Sequence, residues 1–274
     1  ALYSYKTIKL YTEHPALWVL PFLCAGVMSA KSFVHGGSLE ELSLGIFAYA
    51  IYSLLTYLRD ERKGAMPAVA LGVNGLFAGI LFWSKFTLLG LYMVWITVLA
   101  VESLRREGWR RAFRNIAIFL GILSATTIPW LIYFGVHHAI VDWLKIYLWD
   151  NIFGYAQWGG ESILEKLQMA FLNTLRSLMD RENGTYSAFV ALGALFYVCS
   201  PVKRVSWKEK LAVGFMGLFM GLGIFIGETK HDYYGLPLSV FSIFGGIGLA
   251  VLAGRVGIAI KKVLKRTINI VYTA

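Results

Sequence analysis

Two apolar stretches, Met66–Trp83 and Thr87–Leu104, follow one another with only Ser84, Lys85 and Phe86 between them. Each reaches the roughly 18 residues that a helix needs to cross the hydrocarbon of a bilayer. Runs of this kind leave few folds open. In lipid every backbone N–H and C=O must be satisfied internally, so only helices and closed barrels cross, and a barrel needs an alternation that these continuous runs lack. Six further stretches read the same way: Ala16–Ala30, Leu42–Leu58, Asn115–Val136, Ser187–Ser200, Leu211–Gly227 and Leu236–Gly254. The expected fold is all-α, a single polytopic transmembrane bundle over residues 1–274 with about eight spans. Only 15% of the residues are charged, where a soluble domain carries about a quarter. Cys24 and Cys199 both fall inside apolar runs, which excludes a disulfide framework.

Charge sets the sidedness. The loops alternate between basic and not, so that 19 of the 26 Lys and Arg fall on one face, among them Lys6, Arg59, Arg105, Arg106, Arg110, Lys208 and the tail from Arg255. Positive loops stay cytoplasmic, which puts both termini inside a cell membrane and the turn "GETKHDYYG" outside. The net charge of +10 is therefore mainly a topology signal; the basic residues are split among loops, unlike a nucleic-acid surface, and the basic tail suits anionic lipid headgroups. The outer face holds 10 of the 16 acids and four of the five histidines: His35, His137, His138 and His231. It also owns one long loop, about 137–186. There "ESILEKLQMAFLNTLRSLMD" lines up Leu164, Leu167, Phe171, Leu175 and Leu178, as expected of a helix lying in the interface, and "AIVDWLKIYLWDN" reads as a second, with Trp143 and Trp149 at headgroup depth. Gly75 and Gly79, Gly217 and Gly221, and Gly223 and Gly227 form small-xxx-small pairs suited to close helix packing.

Three outward clusters could carry chemistry. Glu40 and Glu41 open the second span, where mutual repulsion and lost hydration would raise one pKa. Such a carboxylate suits a general base, a metal ligand or an acceptor for a sugar hydroxyl; it also simply favours a helix start. Lys85, the one basic residue between Lys63 and Arg105, either snorkels to water or presents a cation to a lipid phosphate. In the third cluster Lys230 and His231 can bind a phosphate, Asp232 can orient them, and Tyr233 and Tyr234 can bond the same group; the plainer reading is a belt of interfacial tyrosines. No cofactor is expected. His137 and His138 are adjacent, unlike the i, i+4 pair of a helical zinc site, and His35, Glu40 and His231 are the face's remaining candidates for a divalent cation. Asn183-Gly-Thr185 matches a glycosylation triplet that is frequent by chance. No P-loop and no GxGxxG after a strand is present, which argues against nucleotide chemistry.

With these motifs in order, the chain resembles the integral-membrane glycosyltransferases of the GT-C superfamily, in the branch of the protein mannosyltransferases and the lipid A aminoarabinose transferases. "NGLFAGILFWSKFTLLGLYMVW" resembles that family's Gly-rich span, Lys turn and next span; "KHDYYGLPLSVF" resembles the start of a late span, and "GGSLEELSL" an outer-loop acid motif. The resemblance implies a transferase that moves a sugar from a polyprenyl-phosphate donor to a lipid, polymer or protein of the cell envelope at the outer face. It places Glu40 or Glu41 near the acceptor or donor sugar, Lys85 on the donor phosphate, and His231, Tyr233 and Tyr234 along the donor pocket. The family's paired acids between its first two spans have no counterpart here, which implies that an N-terminal part bearing the catalytic base precedes "ALYSYKTIKL". Two other classes compete: a transporter or flippase of lipid-linked precursors, which would want polar groups at the midplane, and a non-catalytic assembly subunit.

Overall fold

Ser38 starts the helix on which the other elements converge. Its hydroxyl accepts a hydrogen bond from the Glu41 N–H at 3.3 Å, and Glu40 and Glu41 fill the first turn, where negative charge complements the helix dipole. The helix runs Leu39–Arg59, with Phe47, Ile51, Leu54 and Leu58 recurring at helical spacing and all buried.

The computed structural model describes residues 1–12, 16–33, 37–60, 64–154, 162–199, 205–227 and 231–273, and every regular element among them is helical. In chain order the α-helices are α1 (Leu2–Lys9), α2 (Val19–Met28), α3 (Leu39–Arg59), α4 (Ala68–Lys85), α5 (Gly90–Glu107) and α6 (Trp109–Ala125). They continue with α7 (Ile128–Val136), α8 (Ile140–Leu144), α9 (Ile163–Met179), α10 (Gly184–Gly193), α11 (Trp207–Phe225) and α12 (Ser242–Thr273). Two 3-10 segments matter below: Phe86–Leu89, between α4 and α5, and Asp232–Phe241, leading into α12.

Among the described residues, four stretches are long and apolar enough to cross a membrane: Leu39–Arg59, Ala68–Glu107, Trp109–Val136 and Asp232–Lys262. The sequence suggested about twice that number. The difference lies partly in α2, which has 10 residues, about 15 Å of helix and half the hydrocarbon thickness, and partly in α10, which passes after 10 residues into a π-helical segment, Ala194–Cys199. It lies partly in α11, which begins with Lys208, Glu209 and Lys210. Ala68–Glu107 is not one rod. Lys85 leaves α4 with extended backbone (φ −160°, ψ 86°), and the Tyr92 hydroxyl of α5 donates back to Asn74 Oδ1 of α4 at 3.4 Å. The chain therefore changes direction at Lys85, and α4 and α5 meet again at Asn74 and Tyr92.

Packing between these helices relies on missing side chains. A Cβ on Gly75 would stand 2.5 Å from the Phe119 carbonyl oxygen, so α4 and α6 touch backbone to backbone there; a Cβ on Gly90 would collide with the Phe219 carbonyl where α5 crosses α11. Asn74, fully buried, donates to Ser53 Oγ at 3.1 Å, and the Trp95 indole donates to the Ala50 carbonyl at 3.0 Å. These neutral groups satisfy one another inside the α3–α4–α5 core.

The amphipathic segment in the long loop forms α9, capped by a reciprocal Ser162–Glu165 box. The side that α9 turns to the rest of the bundle is lined by small residues. Ala170, Thr174 and Ser177 are buried, with Thr174 against Gly221 of α11, while Leu164, Phe171 and Leu175 are exposed. Small residues let the two backbones approach, and much of the leucine stripe is left exposed. The second expected interfacial segment is likewise engaged: Trp143 is buried, its ring 4.9 Å from Phe134 and 4.7 Å from Trp83 of α4, whereas Trp149 stays exposed.

The far end of α3 is tied by charge. Arg106 of α5 donates from Nη1 to the Tyr57 carbonyl at 2.8 Å and from Nη2 to the Leu58 carbonyl at 3.0 Å, capping carbonyls that a helix end leaves unpaired. Its Nε donates to Glu102 Oε2 at 3.1 Å, and Glu102 also pairs with Lys208 of α11 at 2.8 Å. Beside this, Arg59 pairs with the buried Glu209 at 3.1 Å, and Tyr11 donates to the same carboxylate at 2.7 Å. Burial, with Tyr197 and Glu209 beside it, pushes the Tyr11 phenol well above its ordinary range, which keeps it a donor. Arg106→Ala should lower stability by about 2–3 kcal/mol, since each buried hydrogen bond to a charged donor is worth about 1.5–3 kcal/mol. The readout is the melting temperature in detergent, and Arg106→Lys, which keeps the charge without the fork, should recover only part of the loss.

Candidate functional site

Three segments far apart in sequence meet at the end of the bundle opposite Arg59. α3 brings Glu40, whose side chain is turned inward and only 3% exposed; the break after α4 brings Lys85; and the turn before α12 brings His231, Tyr233 and Tyr234. The Lys85 ammonium forms an ion pair with Glu40 Oε1. It also lies 3.8 Å from the centre of the Tyr234 ring and 5.6 Å from that of Tyr233, within cation–π range of both. His231 stacks on Tyr233 with ring centres 5.4 Å apart and planes 7° from parallel, and meets Tyr234 edge-on at 5.0 Å. The extended backbone at Lys85 matters here: as the chain leaves α4 it throws the lysine towards α3 and the tyrosines instead of continuing the helix surface.

Asp232 points elsewhere. It pairs with Lys31 at 3.2 Å, and Lys31 also pairs with Glu182 at 2.7 Å, so Asp232 does not orient His231 as the sequence suggested. Hydrogen bonds to Glu182 and Asp232, with their negative charge, raise Lys31 above its ordinary value of 10.5. A raised lysine contributes throughout the pH range below that value, and the contribution is lost only as pH climbs through it. Behind the tyrosines, Gly235 is buried against Ser177 and Tyr186. A Cβ there would collide with Ser177 Oγ and stand 3.4 Å from the Tyr186 hydroxyl. Tyr186 is itself fully buried, with the Ser32 and Ser177 hydroxyls beside it.

One turn along α3 from Glu40, Leu44 lines an apolar cavity of about 270 Å³ with Leu23, Val27, Ala48, Val240 and Ile243. The cavity therefore runs between the start of α1, α2, α3 and the start of α12, and none of the clustered side chains lines it. Residues at i and i+4 share a helix face, so Glu40 and Leu44 connect the two.

Of the sequence candidates, the structure joins Glu40, Lys85, His231, Tyr233 and Tyr234. Glu41 is half-buried and, one residue on from Glu40, turned about 100° away around α3. Lys230 and His35 lie outside the described residues. His137 packs against Tyr133 at 4.7 Å, on α7 and away from this cluster. Among the described residues, no three or more His, Cys, Asp or Glu side chains gather as a metal site would require. Asn183 is 4% exposed and donates from Nδ2 to the Ser177 carbonyl at 3.4 Å, so its side chain is folded inward, while Gly184 and Thr185 are exposed. Sequence reasoning missed Lys31, Glu182, Ser177 and Tyr186. The only cue was that Lys31 and Glu182 lie on the same side as the Asp232 turn.

Set against protein-family models, curated proteins and solved structures, the chain matches none of them.

Gly235→Ala should destabilise the protein by about 1–3 kcal/mol through overpacking, measured as thermal unfolding in detergent. Adding Ser177→Ala, which removes the oxygen in the way, should restore most of the loss.

Proposed function

We propose that this protein is an integral-membrane glycosyltransferase that moves a sugar from a polyprenyl-phosphate donor to a cell-envelope acceptor at the outer membrane face. The observation that carries this reading is the convergence of Glu40, Lys85, His231, Tyr233 and Tyr234 into one cluster beside an apolar cavity. A lipid-linked phosphate needs such neighbours: a cation and phenolic or imidazole donors for its charged head, and an apolar surface for its isoprenoid chain.

In this reading Lys85 holds the donor phosphate, with His231, Tyr233 and Tyr234 around it. The acceptor hydroxyl attacks the anomeric carbon and gives its proton to a carboxylate as the new C–O bond forms. The bond from the anomeric carbon to the phosphate oxygen breaks, and polyprenyl phosphate leaves with the electron pair. Glu40 is the carboxylate best placed next to Lys85, with Glu41 one residue away on the same turn. The same reading takes the Glu40–Lys85 end as external, the far end of α12 as cytoplasmic, and the turns at Lys85 and Gly108 as places where the chain folds back. It favours a transferase over a transporter because the polar groups inside α3–α4–α5, Ser53, Asn74 and Tyr92, are neutral and bonded to one another.

The test uses membranes containing the full-length protein supplied with polyprenyl-phosphate-linked sugars. Glu40→Gln, Lys85→Ala and His231→Ala should each reduce sugar transfer, with Lys85→Ala lowering it by about a hundredfold, the scale of one lost transition-state contact. Undiminished transfer in all three, at normal protein levels, would overturn the assignment.

A further inference from the structure

Lys85 already has an anion. Its ammonium is paired with Glu40, a carboxylate only 3% exposed, while the lysine side chain is 22% exposed and so open to an incoming group. The pairing is reciprocal: Glu40, buried in the first turn of α3, has Lys85 as its ion-pair partner among the described residues. Two ring faces, Tyr234 at 3.8 Å and Tyr233 at 5.6 Å, hold the ammonium in the cluster independently of Glu40. Resting on the lipid-phosphate reading above, we propose that Glu40 is a stand-in for the donor phosphate, and that donor binding exchanges the Glu40–Lys85 ion pair for a Lys85–phosphate pair.

The exchange follows from what each group can do. An ammonium on a four-carbon stem has three N–H donors and can redirect them with little change of position. The tyrosine faces attract it whichever anion it serves, so it need not leave the cluster to change partners. A phosphate that brings its own charge to Lys85 takes away the attraction that neutralises Glu40. The carboxylate is then free of its cation, and its oxygens can accept a hydrogen bond from another group. Glu40 thus becomes available to an acceptor hydroxyl only with the donor in place. The arrangement orders the two substrates: donor first, acceptor second. It also accounts for a buried carboxylate at this point, because without a donor an unpaired Lys85 and an unpaired Glu40 would both be costly.

The exchange makes a prediction opposite in sign to that for an ordinary binding residue. The full chain is placed in nanodiscs and titrated with undecaprenyl phosphate, and with inorganic phosphate in a parallel series. Glu40→Gln removes the internal competitor and should tighten undecaprenyl phosphate binding about two- to fivefold, the upper part of the range measured for ion pairs, while sugar transfer falls. The double variant Glu40→Gln/Lys85→Met removes both charges together, so that no buried ion is left alone, and should lose the binding. Unchanged or weaker binding by Glu40→Gln, with the double variant still defective, would overturn the exchange and leave the lipid-phosphate site standing. Wild-type binding absent, or equal in the double variant, would overturn both. Tightening with inorganic phosphate as well upholds the exchange as driven by charge alone; tightening with the lipid only upholds it as specific to the lipid-borne phosphate.

Discussion

A charge cannot be left unpaired in the interior of a membrane bundle, and α3 shows how far that constraint organises this chain. Glu40 at its first turn is held by Lys85, and Arg59 at its last by Glu209, about 28 Å away at 1.5 Å per residue. Each pair reaches a different helix, so two ionic contacts set the position of α3 along α4 and along α11. Arg106 adds the third tie by taking over the carbonyls at the end of α3. With α3 fixed in this way, the apolar residues between its ends can pack closely without also having to set the register.

Between the charged ends, close approach is achieved by subtraction. Gly75 against Phe119 and Gly90 against Phe219 bring backbones together where any side chain would hold them apart. The same logic explains α9, whose small face packs on Gly221 while its leucines turn outward. In water the leucine stripe would be the buried one, because hydrophobic burial drives packing; in lipid that drive is absent and shape decides.

Much of this was legible in the residues. The apolar runs announced helices; Lys85 between two runs announced a hairpin; and the clusters bearing Glu40, Lys85 and His231 fell on one side by loop charge and meet at one end of the bundle. What could not be read is partner choice. Whether Glu40 or Glu41 takes Lys85 depends on which residue of α3 faces inward, and α3 is apolar on several sides. Asp232 looked like a neighbour for His231 because they are adjacent in sequence, yet its partner is Lys31, some two hundred positions earlier. Periodicity located the apolar stripe of α9 but not the small residues through which it packs. The short helix α2 was also read as a span, since apolar residues flank it on both sides.

The inward-folded Asn183 has a consequence of a different kind. Its amide is used within the protein, bonded to the Ser177 carbonyl in the ground that supports the Tyr233–Tyr234 turn. A sugar could reach that nitrogen only before the 181–183 segment docks, and once attached its bulk would keep the segment from docking at all. Carbohydrate at this triplet would therefore act as a timestamp, marking those chains in which the segment lingered outside the fold.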